Sequence, residues 1–278
     1  MIVSKYEIKA PSLDLGCGNG IISFITAGGN FSIDYDWYIN VDTEGFWENK
    51  DIYDVCKTAS LNEYITERPK YNFTFGLDHK RNLLKQARAL NFYESLIEHD
   101  AKLRLPFKTG SIRTVFSNII YWLPDLKHSL REINRILMKG GSALLCVPNS
   151  KFFEYCYTYQ WKKNKSELLR LLNRGRGESM RWTVSYNEFA SLVKSLGFKI
   201  NDHLYYLSPS ILKIWDIGFR PFSSPLIKMA NSLNQQDRRN IKKEWMETAK
   251  KFLPLLLEME RKSKREGGFH FFYIVKER

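Results

Sequence analysis

The residues most clearly suited to chemistry form a glycine-rich loop that follows a short apolar strand, Leu13 to Leu15. The loop begins at Asp14 and carries Gly16, Gly18 and Gly20 ahead of a helical segment. Glycines at such a junction let the backbone turn tightly and approach a ligand, and the following helix offers N–H groups. The loop lacks the last glycine of a dinucleotide fingerprint and the lysine of a P-loop. It therefore suits a nucleoside with an amino-acid tail, with a plain strand–helix connection as the alternative.

Three further polar segments each follow a predicted strand. A carboxylate at Asp78 can accept both hydroxyls of a ribose, and Asp100 with the backbone N–H of Ala101 can hold an adenine. The third segment, Asn118 to Trp122, ends the next strand along the chain. Ligands of open α/β sheets bind beyond the carboxyl ends of the strands. We therefore expect the glycine loop and these three segments to converge.

An alternation of strands and helices positions these segments and predicts a doubly wound α/β fold, with a parallel sheet covered on both faces. Apolar residues recur at helical spacing between the strands. After the first strand, the predicted strands are Phe73 to Leu77, Ser95 to His99, Arg113 to Phe116, Ala143 to Val147, Lys199 to Leu207 and Phe269 to Val275.

In this order the segments resemble the class I S-adenosylmethionine-dependent methyltransferases, in the subgroup of small stand-alone enzymes of type 11. The matching stretches are LDLGCGNG, GLDHKRNLLKQAR, HDAKLRLPF and REINRILMKGGSALLCV, from Leu13 to about Val147. The resemblance implies a Rossmann-like, seven-stranded, mostly parallel sheet with an antiparallel last strand, and S-adenosylmethionine as the cofactor. The predicted cofactor contacts are Asp14, Gly16, Gly18 and Gly20, Asp78 at the ribose, Asp100 and Ala101 at the adenine, and Asn118.

Asp42 is the alternative ribose ligand, because the acidic residue usually lies about 20 residues beyond the glycine loop. However, apolar and polar residues alternate from Ile33 to Val41. This alternation is typical of a half-exposed antiparallel strand rather than of a buried parallel one. We therefore interpret Phe31 to Tyr71 as an insertion and retain Asp78 as the ribose ligand.

Methyl transfer from a sulfonium is an in-line displacement, so proximity and alignment can supply most of the rate. A hydroxyl acceptor usually also needs a base. Tyr121 and Trp122 are predicted to line the methyl-transfer site, with Tyr121 as the candidate catalytic residue and core packing as the alternative. The five histidines are interpreted as surface or core residues. The run Asn118 to Tyr121 has the spacing of the Asn-Pro-Pro-Tyr signature of nucleic-acid amino-methyltransferases but lacks its prolines.

The segment Ser208 to Gly268, between the last two predicted strands, is predicted to be a helical insertion that roofs the acceptor site. Long excursions in compact domains are usually functional. Trp215 and Arg220 are predicted substrate contacts, and Arg220 with Lys228 suits an anionic acceptor. Simple packing of the aromatic residues onto the sheet is the alternative. The predicted methyltransferase core comprises residues 1–207 and 269–278.

The formal net charge of +13 favours anionic partners, which include nucleic acid, phosphorylated sugars and an anionic membrane surface. The four cysteines form no C-x-x-C pair, as expected of reduced thiols, and predict neither a disulfide framework nor a metal site. The first residues lack the apolar core of a signal peptide. No uncharged apolar run reaches the ~18 residues of a membrane span. These features predict a cytoplasmic protein.

The leading functional hypothesis is methyl transfer to a small-molecule or glycan-type acceptor, through an oxygen nucleophile. An RNA-modifying methyltransferase is the second hypothesis, prompted by the charge and by a basic cluster from Lys162 to Arg176. No RNP1-like motif accompanies that cluster. The third is a non-catalytic cofactor-binding subunit that supports a partner. The intact glycine loop and the carboxylates Asp78 and Asp100 argue against this third hypothesis.

Overall fold

A seven-stranded sheet organises the computed structural model, which describes residues 5–36, 61–157, 180–219, 222–263 and 266–277. Strands β2 and β3 form a separate pair, and the sheet order of the others is β5-β4-β1-β6-β7-β9-β8. The strands are β1 (Ser12–Leu15), β2 (Asn30–Phe31), β3 (Ile65–Glu67), β4 (Phe73–Asp78), β5 (Tyr93–Glu98), β6 (Ile112–Ser117), β7 (Leu137–Pro148), β8 (Phe198–Tyr206) and β9 (Phe269–Lys276).

Helices cover both faces of this sheet. Alternate residues of β7 enter different apolar clusters, Leu145 with α3 and α4 on one face and Leu144 with Phe24 of α1 on the other. The predicted doubly wound α/β architecture is therefore confirmed. The helices are α1 (Ile21–Thr26), α2 (Arg81–Ala89), α3 (Leu126–Ile136), α4 (Tyr186–Ser195), α5 (Pro209–Ile214), α6 (Ser223–Ser232) and α7 (Gln235–Lys262).

The pairing of β1 identifies the strand that lies beside the glycine loop and, with it, the carboxylate that ends that strand. Strand β1 lies between β4 and β6 and is parallel to both, with Leu15 opposite Leu77 of β4. Asp78 is the last residue of β4. The strand assignment behind Asp78 is therefore confirmed. Strand β9 is antiparallel to both β7 and β8, as predicted for the last strand.

The described ends of the segment Phe31 to Tyr71 differ in detail from the prediction. The antiparallel pair consists of β2 and β3, whereas Ile33 to Asp36 form a turn and irregular chain instead of a strand. The reason is local, since the Tyr35 N–H donates to the Ser32 carbonyl and turns the chain. Asp42 and the rest of the predicted strand lie outside the described residues.

Helices α5 to α7 lie between β8 and β9. Strand β8 is parallel to β7, because both are antiparallel to β9. Strand β8 therefore ends, and β9 begins, at the edge where the parallel strands end. The Gly268 N–H donates to the Leu207 carbonyl at 2.8 Å, so the two ends of this segment are adjacent at that edge. Within the described ranges, no helix combines the length and apolar character required to cross a bilayer.

A histidine pair joins β8 to β9. His270 is fully buried, and its Nε2 lies 3.2 Å from the Val184 carbonyl, so Nε2–H is the donor. Its Nδ1 must then accept from His203 Nε2–H, at 2.9 Å. Burial lowers the pKa of His203 and of His270 to about 4. Both rings are therefore neutral at pH 7.

This pair predicts a loss of stability in mild acid. The unfolded histidines take up protons near pH 6.5, whereas the folded ones resist protonation until about pH 4. The stability that the neutral pair contributes is complete above about pH 6.5 and is lost as the pH falls towards 4. We expect Tm to decline between pH 7 and pH 5, and to decline less in a variant with His203→Gln and His270→Gln. The pKa of Asp14 is raised to about 6, so its protonation stabilises the folded state as the pH falls. This opposite contribution is the same in both proteins. Equal slopes of Tm against pH in the two proteins would contradict the assignment.

Candidate functional site

The glycine loop has a backbone conformation that glycine tolerates best. Gly16, Gly18 and Gly20 have φ of +78°, +56° and +76°, all in the left-handed region. The N–H groups of Gly16 and Cys17 donate to the Leu77 carbonyl at 2.8 and 3.0 Å. These bonds hold the loop against the end of β4, where Asp78 lies.

The three glycines differ in what surrounds them. A Cβ added to Gly16 would lie 1.9 Å from the Ile119 side chain, and one added to Gly20 would lie 2.8 Å from the Tyr93 ring. Both glycines are therefore required by packing. A Cβ on Gly18 would approach only a Leu83 methyl, at 3.8 Å. The loop is thus closed at its two ends and open at its middle glycine.

Asp78 connects the loop to the end of β4. Its Oδ2 accepts from the Gly18 N–H and its Oδ1 from the Lys80 N–H, both at 2.9 Å. A carboxylate offers about four lone-pair positions, so each oxygen can accept a second hydrogen bond. The side chain is 11% exposed, and His79 Nδ1 lies 3.6 Å from Oδ1. Asp78 can therefore hold the loop and still accept two hydroxyl groups of a ligand.

Asp14 lies in the interior, beneath the loop. Its residue exposure is 1%, and its carboxylate accepts from the Tyr93 hydroxyl at 2.6 Å. Burial raises the pKa of Asp14 to about 6, while hydrogen bonds from Ser23 and Tyr93 partly oppose the shift. Because Tyr93 also packs beside Gly20, this bond supports the loop. The predicted contact of Asp14 with the cofactor stays a prediction.

Asp100 and Ala101 follow β5, the strand beside β4. The His99 N–H donates to the Asp78 carbonyl at 2.9 Å, so the ends of the two strands are adjacent. Neighbouring strands are about 4.8 Å apart, which is within the reach of a single nucleoside. Asp100 Oδ1 accepts from the Lys102 N–H at 2.9 Å, and the carboxylate is half-buried. The structure thus brings Asp100 and Asp78 to one edge.

The segment after β6 closes the other side of the loop. The Ser117 hydroxyl donates to the Leu15 carbonyl at 2.9 Å and joins the ends of β6 and β1. Asn118, half-buried, comes next and precedes Ile119, the residue against Gly16. Asn118 therefore lies at the same edge as the loop, as predicted.

Tyr121 and Trp122 are the last residues of this segment, and Tyr121 contacts the start of β9. The Tyr121 ring meets the Phe269 ring edge-on, with centroids 5.5 Å apart. The Trp122 indole Nε1 is buried and has no hydrogen-bond partner within the described part of the chain. An unpaired buried donor is costly unless a ligand supplies the acceptor. Because Phe269 begins β9, Tyr121 borders the root of the helical segment between β8 and β9, and the neighbouring Trp122 indole is free to bind a ligand there.

The two predicted substrate contacts in that segment are Trp215 and Arg220. Trp215 begins a π-helical turn and is 50% exposed. Arg220 lies outside the described residues. Both assignments stay predictions.

Tyr93 is a residue of this site that the sequence analysis missed. The prediction began the strand at Ser95, whereas β5 begins at Tyr93. An aromatic residue at the start of a strand gives little indication of a functional site, since aromatic side chains are common in strands. Its partner Asp14 is 79 positions away in the chain. Only the folded arrangement reveals their contact.

The fold and this edge define a class of protein. A doubly wound sheet in the order β5-β4-β1-β6-β7-β9-β8, with a glycine loop after β1 and a carboxylate after β4, is a Rossmann-like nucleoside-binding domain of the class I methyltransferase type. Residues 54–145 match the family model of a methyltransferase domain, Methyltransf_11. The chain therefore carries a methyltransferase domain of the S-adenosylmethionine-dependent type, with S-adenosylmethionine as its cofactor.

Solved structures share the fold at low sequence identity. An S-adenosylmethionine-dependent methyltransferase from Thermotoga maritima, described as a possible histamine N-methyltransferase, is 13% identical, with a TM-score of 0.50 over 99% of this chain and 86% of that one. One from Mesorhizobium loti is 12% identical, with a TM-score of 0.48 over 99% and 95% of the two chains. No protein of curated function matches the sequence.

The described residues fit this cofactor. The loop is open at Gly18, where a ligand can approach the backbone. Asp78 offers two acceptor positions to the two hydroxyls of a ribose, and Asp100 lies on the neighbouring strand end. Bound S-adenosylmethionine supplies an electrophilic methyl group. The residues of this chain would hold the cofactor and align an acceptor with that group.

Proposed function

We propose that the chain methylates a small-molecule or glycan-type acceptor, through an oxygen nucleophile, beneath the segment 208–268. The supporting observation is that this segment leaves and re-enters the sheet at the edge that carries Gly18 and Asp78. In this proposal Gly16, Gly18 and Gly20 hold the methionine part of the cofactor. Asp78 binds the ribose, and Asp100, Ala101 and Asn118 complete the cofactor contacts predicted from the sequence, with Asp14 supporting the loop from below.

Contacts at both ends of α7 support its role as a roof. Near its first turn, Arg239 lies 3.0 Å from Asp34 and Arg238 lies 3.8 Å from Asp36. These aspartates follow β2, close after the helix α1 that begins at the glycine loop. The helix is thus anchored to the N-terminal half of the domain.

The other end of α7 is anchored to the C-terminal hairpin. Glu260 accepts from the Ser208 N–H at 2.8 Å, directly after β8. Helix α7 therefore connects the residues that follow β2 to the end of β8. A bridge of this kind can exclude water from a site beneath it.

Tyr121 and Trp122 are the proposed contacts of the acceptor. Tyr121 packs in an apolar cluster with Phe152, Leu212 and Phe269, which lie at the root of the roof. The buried Trp122 N–H can donate to an acceptor atom with a lone pair, such as a hydroxyl oxygen. The Tyr121 hydroxyl is the proposed partner of the acceptor's proton, which gives it the catalytic role predicted from the sequence.

Methyl-transfer assays can test the acceptor class. The purified chain is incubated with S-adenosylmethionine labelled in its methyl group and with panels of hydroxylated small molecules, nucleotide sugars, amines and total RNA. The proposal predicts label in a hydroxylated small molecule or sugar, as a product that cation exchange does not retain. Label confined to amines or to RNA would contradict it, and so would cofactor binding without transfer. The RNA arm also covers the cluster from Lys162 to Arg176, which lies outside the described residues.

Removal of the roof should separate binding from transfer. Because Gly268 already bonds to Leu207, a short turn can replace Ser208 to Glu266 while Gly267 and Gly268 remain. Those glycines are kept because an added Cβ would meet the Tyr206 backbone at Gly267 or the Phe152 side chain at Gly268. Calorimetry should show S-adenosylhomocysteine bound with at most about a threefold weaker Kd. Transfer to the acceptor found in the panel should fall below about 1%.

The control for this deletion is a milder change in the same segment. Lys243→Ala alters an exposed position of α7 and should leave both binding and transfer unchanged. Full turnover by the deletion variant would contradict the roof.

A further inference from the structure

Helix α7 exposes an apolar face. None of its described residues is buried. Ile241, Trp245, Phe252 and Met259 follow one another at spacings of 4, 7 and 7 positions, which places them on one face of a helix. Their exposed fractions are 42%, 56%, 59% and 37%. The contacts at the two ends of α7 therefore leave its apolar face uncovered between them.

Further apolar side chains are exposed in the C-terminal half of α7. Leu253, Leu255 and Leu257 are each more than half exposed, alongside Phe252. Contiguous apolar surface of this kind is unusual on a soluble chain without a binding role. The anchoring contacts at Arg238 and Glu260 hold the helix in place, so a partner meets a preformed surface.

Charge indicates the chemistry of that partner. Helix α7 carries eight lysines and arginines but five acidic residues, within a chain of formal net charge +13. By helical spacing, Lys251 borders the apolar face on one side. Lys242, on the other side, turns toward the domain and donates to the Tyr35 carbonyl. Long basic side chains beside an apolar face can keep their charge in water while their methylene stems cover apolar surface.

We propose that the face formed by Ile241, Trp245, Phe252 and Met259 docks onto an anionic lipid bilayer, with α7 lying in the plane of the interface. A helix with Trp, Phe and Leu on one face and lysines beside it has the composition of an interfacial helix. A second copy of this chain is the competing occupant, but two chains of +13 repel each other, whereas an anionic leaflet attracts each of them. The inference does not depend on the identity of the methyl acceptor.

Vesicle sedimentation of the full chain tests this inference. The probes are vesicles of phosphatidylcholine alone and of phosphatidylcholine with a quarter phosphatidylglycerol. We expect apparent affinity to be about tenfold higher for the anionic vesicles. Trp245→Glu combined with Phe252→Glu should lower that affinity by at least about tenfold.

The matched control adds the same charge to the helix outside the apolar face. Gln236→Glu combined with Asn240→Glu, at two exposed positions, should keep binding within about threefold of the original chain. All variants should bind S-adenosylhomocysteine like the original chain, which verifies their fold. Equal sedimentation by the two double variants would overturn the proposal. So would light scattering that shows a dimer dissociated by the Trp245 and Phe252 changes, because the occupant would then be a second copy.

Discussion

Replacing Asp78 with alanine should weaken S-adenosylmethionine binding by about 2–4 kcal/mol, or roughly 30- to 1000-fold in Kd. The substitution removes two acceptor positions for the ribose. It also leaves the N–H groups of Gly18 and Lys80 without the carboxylate they now contact at 2.9 Å. The loop therefore loses one of its bonds to β4, the one made by Gly18, together with its ligand contact. Isothermal calorimetry with S-adenosylmethionine or S-adenosylhomocysteine measures the change.

Two further variants separate the ligand contact from the structural one. Asp78→Asn keeps one acceptor oxygen and should fall between the original chain and Asp78→Ala. Asp42→Ala, at the alternative position suggested by sequence spacing, should bind normally. Full binding by Asp78→Ala together with loss in Asp42→Ala would contradict the ribose assignment.

The second large effect is expected at Gly18. Valine there would adopt φ near +56° with a branched side chain and would project into the open middle of the loop. We expect Gly18→Val to weaken cofactor binding by at least about 100-fold, since the side chain would occupy the ligand's approach to the backbone. Circular dichroism should still show a folded chain, because only the Leu83 methyl lies within 4 Å of the new Cβ.

Gly110 offers a matched control for backbone strain. Its φ is +65°, and an added Cβ would meet nothing within 4 Å. It precedes β6, at the opposite edge of the sheet from the glycine loop. Gly110→Val should therefore carry a similar strain and leave cofactor binding intact. A Gly18→Val protein that binds as well as Gly110→Val would show that the loop is only a turn.

Most of the strands could be predicted because a glycine or proline lies near at least one of their ends. Predicted and observed limits of β8, for example, differ by one residue at each end. The start of β7 was misplaced by six residues, since Gly140 and Gly141 were interpreted as a boundary. In the structure Gly140 takes φ of +72° within the strand, and the pairing with β6 shifts register near Ile112. A local kink and a strand end have the same sequence signal.

The site was predictable where a single residue ends a strand and less so where two distant side chains meet. Asp78 followed from its place after an apolar run and before a helix. The hydrogen bond between Tyr93 and Asp14 did not, because nothing in the sequence pairs positions so far apart. The same holds for α7, whose Arg238 and Arg239 pair with carboxylates that follow β2 and lie far away in the sequence.

A crystal structure of the chain with S-adenosylhomocysteine tests the central claim most directly. The account predicts the ribose hydroxyls within about 3.2 Å of both Asp78 carboxylate oxygens, with the amino-acid tail over Gly18 and the adenine beside Asp100. Density for the nucleoside at any other edge of the sheet would contradict the account. So would its absence from this edge at a ligand concentration that saturates binding in solution.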